Sequence, residues 1–244
     1  MKINKYIKDG FSYHEHFFKE EELLLIEPIL VKFHNCWQKE YSENYVKGSI
    51  NSNSITSSKY LDNREKNILF KFISQTKISE LISFQKPKFL NTQLFFDPKN
   101  SEQKNYWHRD IQYIEIDDEQ QKKAIKTQNV VHFRIPLKKE PGIELIPRTH
   151  RKWDSEEEYN VRKSLNKKKP SDNLSTGKLI KLKRTDLLIF SANMIHRGIY
   201  GNDRLSFDII FCDNNPEILK FRDINNLPKE TELIKFDNPE ILKK

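Results

Sequence analysis

Three observations predict a mainly β fold with flanking helices, of the sandwich or jelly-roll kind. From Lys88 onward the chain divides into short runs rich in β-branched and aromatic residues. Those runs are joined by loops rather than by regularly alternating helices, and two long segments at helical spacing precede them. The segment "FFKEEELLLIEPILVKFHNCWQKEY" opens with acidic residues and carries apolar positions at helical period, so a helix is expected over 18–40, kinked or divided at Pro28. A second helix is expected over 63–84, with Asp62 or Asn63 as its cap. Strands are expected at 89–96, 113–116, 130–137, 143–147, 177–182, 186–190 and 205–211. Between them, 154–175 reads as a short acidic-capped helix and a polar loop, an insertion placed to act as a lid.

At 244 residues the chain suits one domain. The expected division is a mainly helical layer over 1–87, a β core over 88–212 carrying the 154–175 insertion, and a carboxy-terminal extension over 213–244. Hydrophobic residues make up 36% and include 16 Phe and 9 Tyr, enough for a packed core despite 32% charged residues. The net charge of +8 suggests nucleic acid or another anionic polymer as a partner. Lysine far outnumbers arginine, however, and the basic residues are scattered. The one dense run, Lys167–Lys169, has no aromatic residues among it to stack bases, so no nucleic-acid partner is expected. Cys36 and Cys212 show no paired spacing, and no apolar stretch is long enough to span a bilayer. A cytoplasmic protein without a membrane partner is expected; oligomeric state is not encoded in any motif.

The stretch "NYWHRDIQY" (105–113) places His108 and Asp110 two apart. In extended backbone, residues i and i+2 project to one side, so an imidazole and a carboxylate converge on one small object, and a divalent metal is the natural candidate. An HxD alone is weak evidence. A second element, "DLLIFSANMIHRGIYGNDRLSFDIIF" (186–211), adds His196 after a strand, then Arg204 and Ser206 on one face of the next. Two histidines and one carboxylate occupy one face of an octahedral ion and leave other positions open, the pattern of non-haem Fe(II) oxygenases. Arg204 offers a permanently charged planar fork for a carboxylate, and Ser206 a further hydroxyl.

The order HxD, His, Arg with a nearby Ser resembles the Fe(II)- and 2-oxoglutarate-dependent dioxygenases, and within them the phytanoyl-CoA dioxygenase-like branch. "TQLFFDPKNSEQKNYWHRD" (92–110) is similar to that branch's strand, loop and WHxD sequence. "PGIELIPRTHR" (141–151) resembles its Gly turn and Pro-Gly-Ser-His element, and "DLLIFSANMIHRG" its strand to the distal histidine. The likeness covers about residues 88–212. It implies a double-stranded β-helix, a jelly-roll or cupin-like barrel, with Fe(II), 2-oxoglutarate and O2 as cofactor and co-substrates. It makes His108, Asp110 and His196 the catalytic metal ligands, and Arg204, with Ser206, the partner of the distal 2-oxoglutarate carboxylate. Gln93 matches a position where the family can place a cofactor-contacting glutamine. Pro147-Arg148-Thr149-His150 departs from Pro-Gly-Ser-His, and the short His196-to-Arg204 spacing leaves Arg197 as a rival anchor, although Arg197 directly follows a ligand and should point away.

Expected substrate contacts are Arg134 and His132, which share one face of their strand, together with Arg148 and Trp153; the competing readings are a solvent face for the first two, a surface arginine for Arg148 and core packing for Trp153. The expected reaction is hydroxylation of a small polar or anionic metabolite, with release of succinate and CO2. Asp110 argues against halogenation, where a non-ligating residue makes room for halide. Two alternatives stand beside this reading: a cupin-type metalloenzyme that does not use 2-oxoglutarate, and a non-catalytic basic β-domain binding an anionic polymer.

Overall fold

The computed structural model describes residues 2–57 and 59–244. A short helix α1 (Lys2–Asp9) leads into β1 (Phe11–His14), followed by α2 (Glu20–Glu40), α3 (Ser42–Val46), α4 (Asn63–Ile73) and α5 (Thr76–Ser79). α2 runs through Pro28 for 21 residues and buries Leu23, Ile26, Leu30, Phe33 and Trp37. That stripe of apolar residues outweighs the one lost backbone bond. The helix expected over 63–84 is instead two. Asp62 caps α4 by accepting from the Glu65 N–H, and the chain breaks at Ser74-Gln75, whose side chains favour turns or lack an apolar face.

The β region forms two antiparallel sheets. β2 (Lys88–Phe96), β3 (Val130–Pro136), β6 (Leu187–Ser191) and β8 (Leu205–Cys212) join β1 in a five-stranded sheet of order β1-β6-β3-β8-β2. β4 (Glu140–Leu145), β5 (Lys178–Leu182) and β7 (His196–Gly198) make a three-stranded sheet of order β5-β4-β7. The larger sheet turns Phe89, Leu94, Val131, Phe133, Ile135, Phe207, Ile209 and Phe211 toward the helices, where they join Leu30, Phe33, Leu69, Phe70 and Ile73 in the main core. Its other face looks into the molecule. Period-two alternation therefore places His132 and Arg134 inside, both buried, and not on a solvent face.

A register shift in β2 between Phe89 and Asn91 changes its parity. Phe89 and Leu94 both face the helical layer, while Leu90, Gln93 and Phe95 line the interior cavity. The segment 113–116, expected as a strand, is not one. Asp110–Tyr113 is a 3-10 turn, and Glu115 has φ +55°. Its alternating Ile residues serve a small cluster with Ile111, Ala124, Ile125 and Trp153. Helix α6 (Asp118–Thr127), capped by Asp117, follows it and was masked in the sequence by its polar face. Among the described residues no helix is long and apolar enough to cross a membrane.

Candidate metal centre and its cavity

Two backbone hydrogen bonds bring the histidines together. The His108 N–H donates to the His196 carbonyl (3.0 Å) and the His196 N–H to that of His108 (2.9 Å), so the two residues sit as an antiparallel bridge at the edge of the smaller sheet. Their rings lie 4.2 Å apart. Each Nδ1 faces a carbonyl two residues earlier, Tyr106 O at 3.1 Å and Met194 O at 2.9 Å. A carbonyl only accepts, so Nδ1 carries the proton and each Nε2 is left with a free lone pair. Arg109 is extended (φ −120°, ψ 140°), which places Asp110 on the same side as His108. Asp110 Oδ1 then lies 3.5 Å from both Nε2 atoms. The three ligand-type atoms all fall within 4.8 Å of one another.

Arg109 itself points the other way and anchors the motif. Its Nε donates to Asp154 Oδ1 (2.9 Å), Nη2 to Lys152 O (2.8 Å), and Nη1 to Thr149 O (2.6 Å) and Asn193 O. Sequence reasoning passed over this residue because its partners, one carboxylate and three backbone carbonyls, are all distant in sequence.

The second Asp110 oxygen is fixed by His132, whose Nε2 lies 2.8 Å away. His132 Nδ1 meets Asp208 Oδ2 at 2.9 Å, and Asp208 holds Arg134 through Nε (2.8 Å) and Nη2 (2.9 Å). A buried relay Arg134–Asp208–His132–Asp110 thus runs across β3 and β8. Burial opposes protonation of His132, but the hydrogen bonds its ring N–H groups donate to the two carboxylates raise it to about 9. Burial would raise Asp208, yet Arg134 and His132 hold it at about 2. Burial alone would likewise raise Asp110, but His196, His132 and His108 keep it well below the usual carboxylate range. Burial pushes His196 down to about 3 and lowers His108 as well. The result is two neutral imidazoles beside an ionised carboxylate, the protonation states metal ligation requires.

The triad opens into a cavity of about 510 Å³, with Arg204 on its wall. Arg204 is buried, and among the described residues neither its Nε nor its Nη1 has a hydrogen-bond partner. Glu140 Oε2 is 3.6 Å from Nε, too long for a hydrogen bond. Burial pushes the Glu140 carboxyl up against the pull of Arg204 and Arg134, which weakens it as a counter-ion. Unpaired buried guanidinium N–H groups are costly and mark a position for an anionic ligand atom. Gly198 makes room for them, since a Cβ there would come 2.5 Å from Arg204 Nη1.

No family model matches the sequence, and no curated protein matches it. Solved structures do match in shape. AviO1 from Streptomyces viridochromogenes Tue57 superposes with a TM-score of 0.59 at 14% identity, over 87% of this chain and 94% of that one. EctD from S. alaskensis with 2-oxoglutarate and 5-hydroxyectoine gives 0.57 at 10% identity, over 99% and 82%. The epimerase SnoN in complex with Fe3+, alpha ketoglutarate and nogalamycin RO gives 0.54 at 11%, over 87% and 82%. What is shared at these identities is the fold.

Within that fold, the other residues singled out from the sequence divide sharply. Gln93 lines the cavity from β2, opposite Asp208 in register. Ser206 does face the same way as Arg204, but its hydroxyl donates to Glu140 Oε1 (2.7 Å). Arg197 points away, to Glu144 and Ser171 O, with its guanidinium 4.4 Å from the Trp107 ring centre. Arg134 reaches the cavity wall, but Asp208 already neutralises it. Arg148 is misplaced as a substrate contact: its left-handed backbone (φ 71°) turns an exposed side chain toward Asp9, 3.4 Å away and outside the cavity. Trp153 is misplaced too, packing beside Arg109, Lys122 and Arg162 rather than on the cavity wall.

The 154–175 insertion contributes nothing to the cavity lining. Its helix α7 (Glu156–Arg162) and following loop pack behind Trp107, whose N–H donates to Pro170 O (2.9 Å) and whose indole donates to Asp172 O (3.0 Å). In this structure it buttresses the HxD segment from behind. The residues missed by sequence reasoning, Asp208, Glu140 and Gly198, lie in or beside strands where a single polar or small residue carries no pattern; buried carboxylates at inward-facing positions would have been the signal.

Proposed function

We propose that this chain is a non-haem Fe(II)- and 2-oxoglutarate-dependent oxygenase that consumes O2, releases succinate and CO2, and hydroxylates a small molecule. The observation that carries this reading is the meeting, in one cavity, of the His108–Asp110–His196 group with a buried arginine whose Nε and Nη1 lack hydrogen-bond partners among the described residues. The donor set fits the implied groups. His108 Nε2, His196 Nε2 and Asp110 Oδ1 would hold iron by one face, and Arg204 would receive the distal carboxylate of 2-oxoglutarate, with Gln93 nearby. When bound, iron and 2-oxoglutarate together supply the oxidising chemistry that no side chain provides.

The chain's own residues prepare that site. The Tyr106 and Met194 carbonyls orient the two imidazoles. His132 occupies Asp110 Oδ2 and leaves Oδ1 alone to face the ion position, which keeps coordination sites open. Ser206 acts on Arg204 indirectly, through Glu140. Retention of Asp110 as a ligand favours hydroxylation over halogenation. The structural neighbours support the class: SnoN is described as an alpha ketoglutarate dependent epimerase, and EctD as holding 2-oxoglutarate and 5-hydroxyectoine. Placement in the phytanoyl-CoA dioxygenase-like branch rests on the "NYWHRD" and "PGIELIPRTHR" likenesses.

Anaerobic titration with Fe(II) and 2-oxoglutarate tests the reading. A weak visible charge-transfer band is expected in the wild type and is lost in His108→Ala. Iron binding without the band would shift the assignment to a cupin-type metalloenzyme. Binding of neither, together with salt-dependent nucleic-acid binding, would favour the basic β-domain.

A further inference from the structure

The expected anionic substrate has nothing to hold it. Of the two arginines assigned to it, Arg148 lies outside the cavity and Arg134 is bound through two nitrogens to Asp208, with its guanidinium 4.2 Å from the Phe95 ring centre and 5.4 Å from that of Phe190. Of the other cavity cations, His132 is held between Asp110 and Asp208, and Arg204 stands at the end of the cavity away from Ile210. The strand register shows this ordering. Arg204 precedes β8, Asp208 lies mid-strand opposite Arg134 and Gln93, and Ile210 lies further on, opposite His132. At about 3.3 Å per residue, Ile210 is roughly 20 Å along the chain from Arg204.

Beyond the relay the wall is hydrocarbon. Leu90, Ile114, Val130, Ile210, Ile218 and Phe221 form it, and the polar groups among them are the uncharged amides of Gln128 and Asn193; Asn51 lies at the other end, bridged to Phe95. Phe221 is 52% exposed and Tyr113 56%, so two aromatic rings stand at the entrance, and Lys220, whose Nζ lies 5.4 Å from the Phe221 ring centre, is paired with Glu217. A charged substrate entering here would lose its hydration and gain no opposite charge, which is prohibitive for a carboxylate, phosphate or ammonium.

Building on the oxygenase reading above, we infer that the substrate is an uncharged, largely hydrocarbon molecule whose few polar groups are met by amides. Free amino acids, phosphonates and coenzyme A thioesters are thereby disfavoured, the last at least for any part inside the cavity.

The test uses three probes on one frame: 2-naphthylmethanol, 2-naphthoate and 2-naphthylmethylammonium. Their binding to the full chain is measured by calorimetry, without metal and then with Fe(II) and 2-oxoglutarate under anaerobic conditions. The alcohol is expected to bind at least ten-fold tighter than either ion. Phe221→Lys, at an exposed position that tolerates the change, and Ile210→Lys in the wall should weaken the alcohol and improve the carboxylate. Carboxylate binding equal to or tighter than the alcohol, failure of all three probes to bind, or no response to Phe221→Lys overturns the inference. A charge-transfer band with carboxylate preference sinks this inference and leaves the oxygenase reading standing; alcohol preference without the band does the reverse.

Discussion

His132 shows how a single side chain can set the chemistry of a neighbour. It holds Asp110 Oδ2 at 2.8 Å while Asp208 holds it from behind. Loss of an outer partner of this kind costs about 10–100-fold in metal affinity. His132→Ala should therefore weaken Fe(II) binding by that factor in anaerobic calorimetry, and His132→Gln, which keeps a donor, should recover part of it; unchanged affinity in both variants would remove the relay from the site. Gly198→Ala should act differently. Its Cβ intrudes on Arg204 and not on the ligands, so the 2-oxoglutarate dissociation constant should rise about ten-fold, a modest share of a charge-assisted contact, with Fe(II) affinity unaltered. At this scale the ligands were legible because i and i+2 spacing in extended chain dictates convergence. Asp208 and Glu140 were not, because a buried carboxylate in a strand differs from an exposed one only in what the rest of the chain folds around it. Arg148 and Trp153 misled because proximity in sequence to a motif says nothing about which side of a turn a residue leaves from.

The elements repeat the contrast between local and distant causes. β2, β3, β6 and β8 were readable as runs rich in β-branched and aromatic residues, since one face of each meets the helical layer and the other the interior of the molecule. β7 is three residues long and exists because β4 and the His108 segment pair with it, a cause no local pattern carries. The insertion, expected as a candidate lid from its polar composition, also carries a buried ionic anchor. Asp154 sits between Arg109 and Arg162, with all three side chains fully buried, and so fastens the insertion to the back of the HxD motif. Removing the shared carboxylate in Asp154→Ala would leave two buried guanidinium groups without their counter-charge. A loss of about 3–5 kcal/mol is expected by chemical denaturation, because breaking a buried ion pair costs far more than the pair contributes. A mobile lid would instead tolerate the change, with a loss within about 0.5 kcal/mol as for surface sites.

For the whole molecule, the buried histidines dictate how stability of the metal-free protein follows pH. His34 lies between α2 and the sheet, with its ring 4.7 Å from that of Phe96 and its Nδ1 without a partner among the described residues. Burial pushes it down to about 4, and His196 down to about 3. Between these values and the ordinary 6.5, the unfolded chain binds protons that the folded chain refuses, so stability rises with pH across that window. His132 works in the opposite sense. Its folded value is raised to about 9, so its contribution is complete below 6.5 and is lost as pH rises through 9. A maximum near neutrality is therefore expected for the metal-free chain. Urea denaturation at pH 5, 7 and 9 should show it, and two variants should dissect it. His34→Leu is apolar and cannot protonate, so it should shrink the loss between pH 7 and pH 5 without changing the alkaline limb. His132→Gln should flatten the alkaline limb while leaving the His34 contribution intact. An acid limb that persists in full in His34→Leu would assign it to the other histidines that burial lowers, His108, His150 and His196.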